Sequence, residues 1–303
     1  MKNNTKSIIL SLLVMALWGS LFPMIKLGYT ALEINSKSVP DILMFASYRF
    51  IISGLVVSVF SFLKKETIAT PKGKNILHIV MMGFFSIVLH YAFTYIGLST
   101  TDSSKTALIK QSGVLIYVCF AFLLFKNEKF SIWKIIGAII GFGGLMAINY
   151  HPGGFRFASG DILILGASVC TVVANVIGKK SVEGNSPYWI TGISQLFGGV
   201  VLLVAAVIMG TEMLKFNLSA GLIFAYICTA SVTSYTLWYS VLKKNSLSKM
   251  FIMKFAEPLF ACAFGAIILG ENIFKWQYLI GFLLICFGIV LGNQSVEKTG
   301  DQK

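Results

Sequence analysis

The chain of 303 residues is 56% apolar and only 12% charged, with a mean hydropathy of +0.80. A soluble domain needs about a quarter charged residues to wet its surface, so a water-soluble globule is excluded, and the apolar content excludes disorder. Basic residues outnumber acidic ones 25 to 12, for a net charge of +13, but the lysines do not gather in one soluble module, which argues against nucleic acid as a partner.

The apolar residues come in ten runs near the length that crosses a ~30 Å hydrocarbon core as helix. In chain order they are 8–27, 41–63, 76–98, 103–125, 130–149, 160–180, 187–210, 220–242, 247–270 and 276–292. Short polar joints separate them, among them Lys64-Lys65-Glu66, Lys126-Asn127-Glu128-Lys129, His151-Pro152-Gly153-Gly154 and Lys243-Lys244-Asn245. Barrel strands would instead show ten-residue alternation. The first run follows Lys2 and Lys6 as a signal peptide would. It continues through Trp18-Gly19-Ser20-Leu21-Phe22-Pro23 without a small-residue cleavage site, so it is expected to remain as a helix. The fold class expected is an all-α integral membrane protein.

Basic residues set the orientation. With the N-terminus inside, inner segments hold fourteen (Lys2, Lys6, Lys64, Lys65, Lys72, Lys74, Lys126, Lys129, Lys179, Lys180, Lys243, Lys244, Lys298, Lys303) and outer segments four (Lys37, Arg156, Lys215, Lys275). Both termini are therefore expected in the cytoplasm. The five cysteines fall inside spans without C-x-x-C spacing and read as small packing residues.

The chain repeats itself at an offset of 144: Tyr91 maps to Tyr235, Tyr95 to Tyr239, Leu98 to Leu242, Ser104-Lys105 to Ser248-Lys249 and Lys110 to Lys254. Beyond a compensated slip, Gly137 maps to Gly281, Gly144 to Gly288 and Asn149 to Asn293. Two five-span repeats are expected, over residues 1–150 and 151–303. An odd number of spans inverts the second in the membrane, and such repeats place a substrate site near the midplane. Gly137-x-x-x-Gly141 and Gly288-x-x-x-Gly292 are small-residue packing faces, internal by default and otherwise a homodimer face on an expected monomer.

Ten spans as five plus five, with Trp18-Gly19, Pro23 and Lys26 in span 1 and Arg49-Phe50 in span 2, resemble the drug/metabolite transporter superfamily, EamA type. Tyr95-Ile96-Gly97-Leu98, Glu128, Ala256-Glu257-Pro258, Leu269-Gly270-Glu271 and the glycines from Gly281 to Gly288 carry the same resemblance over nearly the whole chain. It implies export or import of small metabolites, including amino acids, with nucleotide sugars and sugar phosphates among the cargo of relatives. Where members commonly have a proline in span 4, this chain reads Gly113-Val114, so a softer break is expected there than in span 9.

Charges inside spans cost about 2.5–3.5 kcal/mol on insertion scales and usually face a cavity or a partner. Lys110 lies about 10 Å into span 4 from outside and Lys254 about 10 Å into span 9 from inside, so they straddle the midplane. Glu257 lies one turn beyond Lys254 on the same face. Two positive charges and one negative leave a centre suited to a carboxylate or phosphate. A structural reading of the same residues pairs Glu257 with Lys254 and lets Lys110 snorkel to the interface. Pro258 cannot donate to the Lys254 carbonyl, so a free backbone acceptor is expected beside the pair. Glu257 is a candidate for proton coupling, and His90 for a proton relay or a core histidine bonded to a tyrosine.

Tyr91 and Tyr235 share the matched faces of spans 3 and 8 and suit a cavity for an organic solute. Trp238 lies with Tyr239 nearer a span end, where lining and interfacial anchoring compete. Trp18 and Asn175 lie in spans the resemblance implies as cavity lining, and either could serve helix packing instead. Lys26 sits near a span end, and Arg49 lies deeper, opposite Gln195.

No phosphate-loop motif, no metal spacing among His78, His90 and His151, and no G-x-S-x-G or Cys/His constellation occurs, so no cofactor and no metal is expected. The expected function is secondary transport of a small, anionic organic solute, such as an amino acid, across the bacterial cytoplasmic membrane. An exchanger of phosphorylated metabolites or nucleotide sugars is the alternative, and an intramembrane enzyme on a lipid-linked substrate the weaker class. Nothing reads as a channel filter.

Overall fold

A computed structural model describes residues 2–35, 37–63, 73–98, 109–124, 130–148, 159–182, 185–270 and 276–300. Lys105, Glu128 and Glu271 lie outside the described residues, as do the joints at 64–66, 126–129 and 151–154 and the side chains of Tyr95 and Cys119. The chain is all-helical, and its helices follow the ten apolar runs. Span 1 is α1 (Lys2–Ala31) and span 2 is α2 (Val39–Leu63). Span 3 is α3 (Gly73–Gly83), a π-helical stretch Phe84–Leu89, and α4 (His90–Leu98). Spans 4 and 5 contain α5 (Ser112–Leu124) and α6 (Ile132–Ile148). Spans 6, 7 and 8 are α7 (Ser159–Val182), α8 (Pro187–Ile208) and α9 (Leu218–Lys244). Span 9 divides into α10 (Leu247–Met253) and α11 (Ala256–Leu269), and span 10 is α12 (Trp276–Gly300).

Seven described helices are long and apolar enough to cross a membrane, and Ile132–Ala147 and Trp276–Gly292 are shorter apolar helices. Large apolar side chains cover the outside, for example Leu218 and Ile267, which are 81% and 77% exposed. Water would not tolerate that surface; hydrocarbon does. The helix starts carry local signals. Asn217 caps α9 by accepting from Ala220 N–H at 2.8 Å, and Ser186 caps α8, with Pro187 in its first turn. Gly270 ends α11 at φ 68°, a conformation that suits glycine.

At the lysine-rich end, Lys179 Nζ donates to the carbonyls of Leu242 (2.7 Å) and Asn245 (2.8 Å), which closes the C-terminus of α9. Asn245 Nδ2 donates to Ser7 Oγ at 3.1 Å and ties α1 to the same point. Every residue of α10 is buried, and Phe251 stacks on Tyr117 of α5 with ring centroids 4.5 Å apart. Among the described residues, packed side chains of α10 and α5 fill the bundle toward this end.

The fifth helices of the two repeats pack directly on each other. A Cβ on Gly137 would meet the carbonyl oxygen of Gly288 at 2.7 Å, and one on Gly144 would meet that of Gly281 at 2.7 Å. The matched glycines thus contact each other crosswise, and the small-residue stripe is used within the chain. We expect Gly137→Ala to destabilise the protein by about 1–3 kcal/mol through overpacking. A Cβ on Gly143 would have nothing within 4 Å, so Gly143→Ala should be neutral or stabilising by up to about 1 kcal/mol. Thermal unfolding of both variants in detergent checks the contrast.

Candidate functional site

Span 9 breaks where two constraints meet. Pro258 has no N–H for the Lys254 carbonyl, so the chain turns at Lys254–Phe255 before α11 begins. The expected free acceptor is not there. The Glu257 N–H donates to the Lys254 carbonyl at 3.1 Å, because the turn tightens to i→i+3 and recovers the bond that proline denies.

The break also re-aims the lysine. Its ammonium lies over the rings of Trp18, Trp238 and Phe251, at 5.4, 5.5 and 5.6 Å from their centroids. Among the described residues no ion pair joins Lys254 to Glu257. The i,i+3 pairing of an unbroken helix is lost, and aromatic faces take the charge instead. Trp18 reaches this position because Gly19 lets α1 approach α11: a Cβ there would fall 2.6 Å from Phe260 Cβ and 2.8 Å from Ala261 N. Trp18 also contacts Trp238 at 5.1 Å and Tyr235 at 5.6 Å.

Span 4 turns at Gln111, one residue past Lys110, without a proline. Ser168 of α7 supplies a support that a softer break was not expected to need. Its Oγ lies 3.1 Å from the carbonyl oxygens of Ile109, Lys110 and Ile164, and its one hydrogen is shared among them. Lys110 is half-buried and acts electrostatically on Lys254, as does Glu257. Two of the charged residues read from the sequence, Lys110 and Glu257, thus lie within electrostatic reach of the third, Lys254.

A polar chain crosses from span 3 to span 8. His90 Nδ1 lies 3.0 Å from Thr171 Oγ1. Asn175 Nδ2 donates to the Thr171 carbonyl at 2.8 Å, and Asn175 Oδ1 accepts from Trp238 Nε1 at 2.8 Å. Trp238 is 1% exposed, so it is a buried, oriented ring and not an interfacial anchor. Tyr239 is buried as well, with Gly178 against its ring. Tyr91 and Tyr235 meet through their side chains. Arg49, also buried, donates from Nε to Ser231 Oγ at 2.7 Å and lies over Phe50 (4.9 Å) and Tyr91 (5.9 Å). Lys26 is exposed. A recess of 640 Å³ at the end opposite Lys179, lined by residues 31–34, Asp41 and 210–217, contains none of these side chains.

Sequence reasoning does not find Ser168, Thr171, Ser231 and Phe251. Ser168, Thr171 and Asn175 stand at i, i+3 and i+7 on an otherwise apolar span; that polar stripe is the available signal. Among the described residues no cluster of His, Cys, Asp and Glu could hold a metal, and none of the cysteines forms a disulfide.

The EamA-like transporter family model matches the chain twice, at residues 5–150 and 158–293. An uncharacterized transporter of Archaeoglobus fulgidus is 27% identical over 279 residues, covering 89% of this chain and 91% of the relative. The uncharacterized transporter YoaV of Bacillus subtilis is 25% identical, covering 89% and 94%. A WAT1-related chloroplastic protein of Arabidopsis thaliana is 26% identical, covering 82% of this chain and 62% of its own. A solved crystal structure superposes with a TM-score of 0.78 at 17% identity, over 97% of this chain and 99% of the other, and so shares the fold.

Removing the partner of a buried donor leaves it unsatisfied. Asn175→Leu should therefore lower stability by about 1–3 kcal/mol through Trp238 Nε1. Unfolding in detergent measures that cost, and a shifted tryptophan emission maximum should accompany it.

Proposed function

Because the chain belongs to the EamA-like transporter family, we propose that it moves a small organic solute bearing an anionic group across a bacterial cytoplasmic membrane by alternating access. Lys110 and Lys254 hold the anion. The observation that carries this reading is the Lys254 ammonium, set deep in the bundle on three aromatic faces without an ion pair to Glu257. Cation–π contacts are worth about 2 kcal/mol or more when desolvated, less than the effective cost of burying an ion. An entering carboxylate supplies the missing interaction. Tyr91, Tyr235, Trp18 and Trp238 offer ring faces for the body of the solute.

The repeats over 1–150 and 151–303 rock about the centre with both termini in the cytoplasm. The packed α10 and the Tyr117–Phe251 stack support a seal on the side of the basic residues. Glu257 sits in the first turn of α11, where the helix N-terminus favours a carboxylate. It couples the cycle by exchanging a proton or a partner.

Counterflow in proteoliposomes tests the class: trans-stimulated uptake marks a transporter, and product formation without it marks an enzyme. Lys110→Ala and Lys254→Ala should each weaken binding of a transported carboxylate by tenfold or more, a loss of about 1.4 kcal/mol. Lys215→Ala, exposed at the surface, should leave it unchanged. Equal binding by all four proteins overturns the anionic site, and trans-stimulation by phosphate esters alone assigns a phosphorylated cargo. Glu257→Gln should keep binding but lose the dependence of transport on external pH; an unchanged pH profile removes the coupling role.

A further inference from the structure

His90 is the first residue of α4, directly after the π-helical stretch, and it is half-buried. Its Nδ1 lies 3.2 Å from the carbonyl oxygen of Ala167 and 3.0 Å from Thr171 Oγ1. The Thr171 hydroxyl itself donates to the Ala167 carbonyl at 3.1 Å. A carbonyl oxygen only accepts. A bare Nδ1 at that distance would set two lone pairs against each other, so Nδ1 carries the hydrogen and shares it between the two oxygens. In the neutral ring Nε2 then holds a lone pair. Among the described residues Nε2 has no hydrogen-bond partner. Tyr91 packs edge-on to the ring at 5.2 Å, and Lys110 of span 4 and Lys254 of span 9 lie within electrostatic range.

An acceptor within electrostatic reach of two ammonium groups has a defined use. Among the described residues neither ammonium bonds it, and a carboxylate oxygen cannot donate to it. The group that completes it is a donor on the solute, next to the anion. We propose that His90 is a specificity-determining residue that accepts a hydrogen bond from a hydroxyl or amino group on the carbon bearing the carboxylate. Thr171 is its positioning residue, fixing the tautomer and the ring plane from span 6. The site then selects 2-hydroxy and 2-amino acids over plain carboxylates and over fully ionised phosphates, which bring no donor. This rests on the anionic-site reading of Lys110 and Lys254.

Three probes of one shape isolate the donor: 4-methylpentanoate, 2-hydroxy-4-methylpentanoate and leucine. Each is titrated onto the purified chain in lipid nanodiscs, read by the change in intrinsic tryptophan fluorescence, to which Trp18 and Trp238 contribute. The two donor-bearing probes should bind about tenfold tighter than 4-methylpentanoate. In His90→Leu the three affinities should converge. Thr171→Val should lose most of the preference while Thr171→Ser keeps it, a rescue that a merely structural role would not produce. If His90→Leu does not fold, the Thr171 pair carries the test. Equal affinities in the wild type, or a preference that persists in His90→Leu and Thr171→Val, overturn the role of His90. If 4-methylpentanoate binding then still fails in Lys254→Ala, the anionic site stands without it. Probes that do not bind the wild type, or bind it and Lys254→Ala alike, overturn both.

Discussion

An ammonium group in the middle of a hydrocarbon-embedded bundle has to be met by something, and here it is met by aromatic faces. The rings of Trp18, Trp238 and Phe251 come from three spans and both repeats. Each needs its own support. Gly19 draws α1 close enough for Trp18, Asn175 fixes Trp238 through its indole N–H, and Tyr117 backs Phe251. Side chains of spans 1, 4, 6, 8 and 9 thus converge around one charge.

The two repeats solve one backbone problem in two ways. Both fourth helices break just past a lysine. In span 9 the cause is covalent, the missing N–H of Pro258, and the remedy is local, the Glu257 N–H on the Lys254 carbonyl. In span 4 no proline is present, and the freed carbonyls of Ile109 and Lys110 depend on Ser168 from another helix. The first break is written into one segment, and the second exists only in the assembled fold. The third helices differ as well. Span 3 has a π-helical stretch before His90, while its counterpart α9 is regular. The wider π-helical turn shifts the register of α4, at whose start His90 and Tyr91 stand, from that of a plain 3.6-residue helix.

Those differences explain which features are legible in the sequence. Ten runs of lipid-compatible length cannot be hidden, and the helices follow them closely. Lys110, Lys254 and Glu257 stand out because charge is rare in hydrocarbon, and the first and last lie within electrostatic reach of Lys254. The pairing of Lys254 with Glu257 is not legible, because i,i+3 neighbours face each other only on an unbroken helix, and the turn at Lys254–Phe255 takes that away. Thr171 and Ser168 escape notice because a single hydroxyl in an apolar helix ordinarily bonds its own i−4 carbonyl, as both also do here. Their second partners lie on spans 3 and 4, and no local pattern announces them. Trp238 is ambiguous for a different reason: distance from a helix end does not reveal whether an indole meets lipid headgroups or an asparagine.

The seam between α6 and α12 carries a consequence for the history of the chain. Gly137 meets Gly288, and Gly144 meets Gly281; under the internal offset these are one and the same contact, counted from either side. A side chain gained in one copy would strike the backbone of the other. Elsewhere the copies have drifted, with a π-helical stretch here and a proline there, because each position answers only to its own surroundings. Along the seam each copy is the other's mould. A duplicated gene is least free to specialise its two halves where they touch, and along that line of contact the original symmetry is kept.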